Sequence, residues 1–262
     1  MPKIDWAQKF LLTSLGVWFL GTVANAYIPP SWFILKTWVG KHARQKKIKV
    51  KSWVTAGDGK SSPSIGFREV LVLSDGQVVK SWAMDDLDQV LFYQEKGVKE
   101  LSLPAQLLMS PDWADLGRML KDQGVPVLTG SGSVEAEQES LIRSKDSVSW
   151  VVAQKPVQGG RPQVWFEKDT FFPTRLIYSP STDAKGCDLT FENYRRDFFF
   201  PRSVIAHGAE GAVLWTSQVV DLSPHVEPAK TPRTSVQGWT PTGNAAPSEL
   251  KKLIRNYYES FR

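Results

Sequence analysis

The sequence predicts a mainly β (α+β) domain: one strongly curved antiparallel sheet that forms an open half-barrel, with helices over its concave face. Apolar and polar residues alternate over 187–194, where Cys187, Leu189 and Phe191 share one face. Short polar turns separate such segments, which is typical of antiparallel neighbours because parallel strands need long crossovers. About ten segments of this kind occur, and a sheet of that width curls.

Residues 1–26 have the pattern of a signal peptide. Lys3 and Lys9 accompany an apolar run at 10–28, and Ala24-Asn25-Ala26 is a small-x-small cleavage site. The run is also close to the length that spans a bilayer, so an uncleaved inner-membrane anchor is the alternative. Tyr27 would follow the cut, and the absence of a cysteine there gives no indication of lipid modification. The pattern predicts export.

Composition narrows the compartment and the partners. The chain has one cysteine, so an exported form has no internal disulfide and must rely on its core. It contains no Asn-x-Ser/Thr sequon, which favours a bacterial periplasm. The net charge of +5 is modest, and its clearest basic cluster lies at 36–51. A solvated surface explains that cluster, as would docking to an acidic partner or to anionic head groups. Export disfavours nucleic acid as a partner.

The first half of the predicted domain, 27–223, begins with a helix. Ser31 is a suitable N-cap, and apolar residues recur behind it at helical spacing. The period then changes to that of strands at 48–54, 67–73, 78–84 and 89–94. An Asp-Gly pair joins the second and third of these strands and predicts a hairpin.

Two short helices are expected next, at 103–109 and from Ser110, with Ser110 as cap and Pro111 in the first turn. A loop at 125–138 leads into the second run of strands, which ends near Leu222. Residues 224–247 are proline-rich and predict an extended linker. Residues 248–262 predict a C-terminal helix whose apolar stripe docks on its own domain, on a partner or on a membrane surface.

No catalytic constellation is present in the sequence. Gly57-Asp58-Gly59-Lys60-Ser61 ends like a phosphate loop, but Val54 stands where the first glycine is required and no helix follows. His42, His207 and His225 lie in unrelated segments without metal-ligand spacing. The sequence therefore predicts a non-enzymatic protein with no metal and no cofactor.

Aromatic and aliphatic residues are abundant on the predicted strands and short helices. Ordinary core packing explains any one of them, whereas together they suggest an apolar cavity beneath a half-closed sheet. The predicted wall is Leu71, Trp82, Phe92, Trp150, Phe166, Leu189 and Phe191, and the predicted lid is Leu107, Leu108, Trp113 and Met119.

The stretch 163–176 resembles the W-F-x-x-x-T-x-x-P-x-R-L strand pair of LolA-like periplasmic lipoprotein carriers, and 188–194 with 200–202 is similar to the next pair. The resemblance covers roughly 32–221 and implies an open β-barrel closed by helices that holds acyl chains. The proline-rich stretch and the terminal helix depart from that pattern.

These observations predict a periplasmic carrier of lipid or lipoprotein acyl chains, taking part in outer-membrane lipoprotein or lipid trafficking. Shielding about 14 methylenes at ~0.8 kcal/mol each provides on the order of 11 kcal/mol, which requires a concave surface. Its partners would be acyl chains, an envelope protein and, transiently, a membrane. The alternative is a cell-envelope interaction module, a sensor or assembly factor, in which the same sheet is plugged.

Overall fold

The computed structural model describes residues 28–42, 47–58, 65–74, 77–127, 139–144, 147–157, 159–179, 186–208, 211–224, 238–239 and 248–262. The predicted signal peptide and nearly all of the predicted linker lie outside these residues. Within the described ranges, no helix has both the length and the apolar character needed to cross a bilayer.

Twelve strands of the described chain form one antiparallel sheet. They are β1 (Lys47–Ala56), β2 (Gly66–Ser74), β3 (Val78–Met84), β4 (Val90–Gly97), β5 (Glu139–Ser144), β6 (Ser147–Ala153), β7 (Gln163–Glu167), β8 (Pro173–Tyr178), β9 (Cys187–Glu192), β10 (Ser203–His207), β11 (Val213–Ser223) and β12 (Gly238–Trp239). The helices are α1 (Ser31–His42), α2 (Leu103–Met109), α3 (Trp113–Asp122) and α4 (Ser248–Phe261), with a 3-10 turn at Val98–Glu100.

The sheet consists of two meanders joined at one seam. Its spatial order is β12-β4-β3-β2-β1-β11-β10-β9-β8-β7-β6-β5. The first meander runs from β1 to β4 and the second from β5 to β11; β1 and β11 pair along the seam, from Lys49 opposite Ser223 to Ala56 opposite Trp215. In the described chain β12 and β5 are the two edges and do not pair with each other. The predicted open antiparallel sheet is confirmed.

Two of the helices, α1 and α3, start where polar groups satisfy their first backbone N–H groups. The backbone N–H of Ser31 donates to Oε1 of Glu139 at 2.6 Å, so a carboxylate from β5 meets the positive end of α1. Asp112 caps α3 by accepting from the backbone N–H of Ala114 at 2.8 Å. The predicted cap at Ser110 is therefore wrong, because a carboxylate two residues later accepts the free donors and α3 begins at Trp113.

The two faces of the sheet bury very different amounts of apolar surface. On β2, Phe67 and Leu71 point into the main core, which the four helices share. Val70 and Val72 point the other way, into a small cluster with Trp82 and Tyr93 on the opposite face. All four helices thus contribute to the core on one side of the sheet, which is the side where function was expected.

A cavity and a buried ion pair beneath the C-terminal helix

Most of the predicted wall and lid lies inside the continuous core. The seven core residues are at most 5% exposed, and they are Leu71, Leu107, Leu108, Trp150, Phe166, Leu189 and Phe191. They do not line the cavity described below. Where a deep hollow was expected, the side chains of the sheet and helices fill the space.

The prediction that Trp82 lies in the cavity wall is wrong, because Trp82 lies on the other face of the sheet. It pairs with Val70 across β2 and β3, so it lies on the face opposite to Leu71, which pairs with Ser81. Adjacent residues of a strand point to opposite faces, and the register of β3 puts Ser81 and Ala83 on the inner side. Trp113 is half-buried between α1 and α3, with its ring centroid 6.5 Å from that of Trp32, and does not line the cavity either.

A cavity of about 620 Å³ lies between β4, the start of α2, the end of α3 and α4. Two predicted residues, Phe92 from the wall and Met119 from the lid, line it. Its volume is in the range of small-molecule sites. The apolar part of the lining is Phe92, Leu101, Leu103, Met119, Tyr178, Trp239 and Tyr258, and the charged part is Lys96, Glu100, Asp122, Arg255, Glu259 and Arg262.

Three aromatic rings of the cavity lining contact one another. The Phe92 ring lies 4.5 Å from that of Tyr258 on α4 and 5.4 Å from that of Trp239 on β12, between centroids. The Lys251 ammonium lies 5.9 Å from the Trp239 ring centroid. An apolar group placed between these rings would be shielded on several sides.

Polar atoms in the cavity lining have unused hydrogen-bonding capacity. Oε1 of Gln94, Oγ of Ser102 and Nη1 of Arg262 are buried and have no hydrogen-bond partner among the described residues. All three residues line the cavity. Because an unsatisfied buried polar group costs about 1–3 kcal/mol, these atoms favour a polar group, or ordered water, in the cavity. Lys96 lies beside them and donates through Nζ to the backbone carbonyl of Arg262 at 3.4 Å; burial lowers the pKa of Lys96, and Glu100 opposes that shift.

A buried ion pair fixes α4 against the sheet. Glu69 on β2 is 1% exposed and accepts from Nε and Nη2 of Arg262, each at 2.9 Å, and from the Tyr257 hydroxyl at 2.6 Å. Burial opposes the charge of Arg262, but Glu69 outweighs burial and keeps the pKa of Arg262 above its usual value. The Tyr178 hydroxyl also donates to the backbone carbonyl of Ser260, which ties α4 to β8.

Sequence reasoning missed this ion pair and the α4 side of the cavity. The apolar stripe of 248–262 did indicate a docking helix, and the helix docks on its own domain through Leu253, Ile254, Tyr257 and Phe261. Glu69 interrupts an otherwise apolar inner face of β2, which is the one local signal of a buried partner. Nothing near either residue in sequence identifies Arg262 as that partner.

Two other features are weaker candidates for a functional site. An open groove of about 710 Å³ lies around Arg195, Arg196 and Arg202, and Asp197 accepts from Arg195 there at 3.3 Å. Burial raises the pKa of the Cys187 thiol to about 11, so it is a poor nucleophile at neutral pH. Among the described residues, no group of three or more His, Cys, Asp or Glu side chains is placed to hold a metal ion.

No family model matches the chain, and no curated protein matches it. Solved structures do. A LolA superfamily protein from Nitrosomonas europaea is 13% identical with a TM-score of 0.43, over 76% of this chain and 96% of that one. A putative outer membrane lipoprotein-sorting protein domain from Vibrio parahaemolyticus is 10% identical with a TM-score of 0.41, over 74% and 91%.

A structure of the Pseudomonas aeruginosa MucA/MucB complex is 14% identical with a TM-score of 0.29, over 72% of this chain and 56% of that one. The superfamily that the strand-pair motif resembles is thus also found by structural comparison. At such identities and scores, these structures carry no statement about what this chain binds.

Proposed function

We propose that this chain is a non-enzymatic, periplasmic binding protein that holds one apolar chain of a lipid or lipoprotein in the cavity beneath α4. The observation that carries the proposal is the cavity itself, whose lining combines aromatic and aliphatic side chains with charged ones. An amphiphile combines the same two kinds of group. The signal-peptide pattern at 1–26 supports the compartment.

The volume of the cavity limits the length of apolar chain that it can hold. At ~0.8 kcal/mol per methylene, eight buried methylenes contribute about 6 kcal/mol, which is sufficient for reversible binding. The rest of the concave face is filled by core residues such as Leu71 and Phe166. A single chain at the edge of the sheet therefore fits better than a lipoprotein anchor with several chains buried deep in a barrel.

Uptake of a fluorescent fatty acid by the purified full chain tests the proposal. Met119 is half-buried and lines the cavity, so Met119→Glu introduces a charge into the cavity lining and should weaken uptake at least 10-fold. Leu214 is 53% exposed and does not line the cavity, so Leu214→Glu is the matched control and should leave uptake unchanged. Thermal unfolding of each variant shows that the fold is retained.

Two results would contradict this function. One is a wild-type chain that takes up no fatty acid and carries no lipid-sized adduct in native mass spectrometry after purification from cells. The other is an equal loss of uptake in the two variants, which would place binding elsewhere.

A second candidate is an envelope interaction module that recognises a protein partner. The observation that favours it is α4, which covers the inner face of the sheet through a specific charged contact as well as apolar packing. Pull-down from envelope extracts with the wild-type chain and with Met119→Glu separates the two functions, because a partner that ignores the cavity is retained by both.

A further inference from the structure

Glu69 is an unusual residue for the inner face of a central strand. It lies between Phe67 and Leu71 on the same face of β2, and both neighbours are fully buried. A carboxylate in such a place is costly unless it is paired and hydrogen-bonded. Three groups donate to it, the Tyr257 hydroxyl of α4 and two guanidinium nitrogens of Arg262, the residue that follows α4. The strand therefore carries a charge that the helix above it satisfies.

The surface around Glu69 is a groove shaped for a helix, defined here as the Glu69 groove: Phe67, Glu69, Phe92 and Trp215. Aromatic contacts run along it, and each has one ring from α4. Centroid distances are 5.6 Å for Phe67 to Tyr257, 4.9 Å for Trp215 to Tyr257, 5.6 Å for Trp215 to Phe261 and 4.5 Å for Phe92 to Tyr258. The groove thus contacts the aromatic face of α4 and, at one end, the cation of Arg262.

Helix α4 is a short segment that docks through its buried face. The proline-rich stretch 224–247 precedes it, and within that stretch Gly238–Trp239 pairs with β4. A 14-residue helix is marginal on its own in water, so α4 depends on the surface that it covers. Lys251 and Lys252 of α4 are exposed. Its docking is in effect the binding of an amphipathic helix to a groove.

We propose that the Glu69 groove is a binding surface for an amphipathic helix of a partner protein, and that α4 is its built-in occupant. The partner helix presents the pattern of α4: aliphatic residues at the positions of Leu253 and Ile254, an aromatic hydroxyl at Tyr257 and an arginine five residues later. The inference rests on the second candidate function above; because Phe92 and α4 also line the cavity, departure of α4 opens it.

The ion pair supports recognition more than stability. A buried ion pair adds little over well-packed apolar residues, whereas a helix without the cation would leave Glu69 unpaired. An apolar helix is therefore rejected and a helix with arginine at the right position is accepted. Because α4 competes from the same chain, a partner binds only to the fraction of molecules in which α4 has left.

Peptide binding to the full chain tests this inference. The probe is a fluorescent peptide of residues 248–262, and fluorescence anisotropy gives its affinity. Ile254→Ala in the chain removes a buried contact of α4 that does not touch Glu69, so it weakens docking from the same chain and should tighten binding of the peptide at least 10-fold. Lys252→Ala, on the exposed face of α4, is the matched control and should bind like the wild type.

The arginine is tested in the peptide. With the Ile254→Ala chain, the Arg262→Gln peptide should bind at least 10-fold more weakly than the native peptide. When Glu69→Gln is added to that chain, the two peptides should bind to within about threefold of each other. Circular dichroism and a cooperative unfolding transition establish that each chain is folded.

Hydrogen exchange on the wild-type chain gives a second measurement that needs no variant. Amides of α4 should exchange through a local opening, faster than those of β2. The proposal is overturned if the amides of α4 and of β2 both exchange only through global unfolding. It is also overturned if the folded Ile254→Ala chain does not bind the peptide, or binds the Arg262→Gln peptide as tightly as the native peptide. A third contradictory result is a dimer in which two copies exchange α4 and with which the peptide does not compete. That result would assign the groove to a second copy of the chain and overturn the proposal. Fatty-acid uptake is measured separately, so failure here leaves the cavity function standing.

Discussion

Two helices cover the concave face of the sheet, and they do so by different means. Helix α1 places Trp38, fully buried, against Phe172 and Tyr194 at centroid distances of 5.8 and 6.1 Å. Two of its side chains bond to backbone carbonyls, Trp38 Nε1 to Leu107 O at 2.6 Å and His42 Nε2 to Ser110 O at 2.8 Å, and its first backbone N–H donates to the buried Glu139 carboxylate. Helix α4 instead meets its buried carboxylate, Glu69, with a charged side chain, Arg262, and borders a cavity with unpartnered polar atoms.

The difference indicates that one helix, α1, covers the sheet permanently, whereas another, α4, is exchangeable. Close apolar packing, such as that around Trp38, favours one arrangement and gives another molecule no charge to recognise. An ion pair between a strand and a single helical segment is specific, and the charge on the strand is neutralised only while that segment is present. We therefore expect substitutions beneath α1 to lower the free energy of unfolding of the whole domain. Substitutions beneath α4 should mainly favour local opening of that helix.

Trp38→Ala should have the largest effect, because it removes a fully buried indole and its hydrogen bond from the α1 side. The free energy of unfolding should fall by about 4 kcal/mol, measured by urea denaturation. Phe33→Ala on the same helix is the control; Phe33 is 39% exposed, and its loss should cost less than about 1 kcal/mol. Equal losses would mean that α1 is not the permanent cover.

Glu69→Leu should come next, with a loss of about 3 kcal/mol, because it leaves the Arg262 guanidinium buried and unpaired. The double variant Glu69→Leu/Arg262→Leu should recover most of that loss, since two apolar side chains can fill the same space. Urea denaturation gives the free energies, and hydrogen exchange shows whether α4 opens first. A double variant as unstable as the single one would argue against pairing as the reason for both residues.

Acid should weaken the α1 side specifically. Burial lowers the pKa of His42 to about 4, against an ordinary value of 6.5. The unfolded chain therefore binds a proton below pH 6.5 that the folded chain does not, so stability falls as pH falls from 6.5 towards 4. Between pH 7 and pH 5 the loss should be about 2 kcal/mol. His42→Gln should flatten the pH profile of unfolding by that amount, and an unchanged profile would exclude His42 as its cause.

The smallest effect is expected in α3, which touches α1 and borders the cavity. Asp112→Ala removes the N-cap of α3 and should cost about 1 kcal/mol in urea denaturation. Asp122→Ala, at the exposed C-terminal end of the same helix, is the control and should be neutral or slightly stabilising, because an acid there opposes the helix dipole. If the loss at Asp112 also weakens fatty-acid uptake, the cap positions the Met119 side of the cavity as well.

Much of the sheet followed from alternation along the sequence. Strands predicted at 67–73 and 78–84 are Gly66–Ser74 and Val78–Met84 in the structure, because their pattern and their hairpin signal are local. The apolar stretch 198–206 is a strand only in its second half: Phe199 has a φ of 46°, and the chain turns there before β10 begins at Ser203. A phenylalanine in the left-handed region is imposed by packing and leaves no mark in the pattern.

The candidate site was less accessible to prediction. Alternation groups the residues of one strand by face but does not say which face is inside, and the large side chain of Trp82 suggested the wrong one. Arg262 and Glu69 are 193 residues apart, and no period links them. The stretch 163–176, which carries the family resemblance, lies outside the cavity lining and contains neither partner of the ion pair.

The seam between the two meanders has a consequence for how the chain folds. Each meander is built from neighbours in sequence, but β1 meets β11 only after nearly the whole domain has been made. Helix α1 crosses the same divide: it comes from the start of the domain and packs beside Phe172 in the second meander. Neither half can complete its interior alone, so we expect slow, all-or-none acquisition of structure, governed by long-range closure.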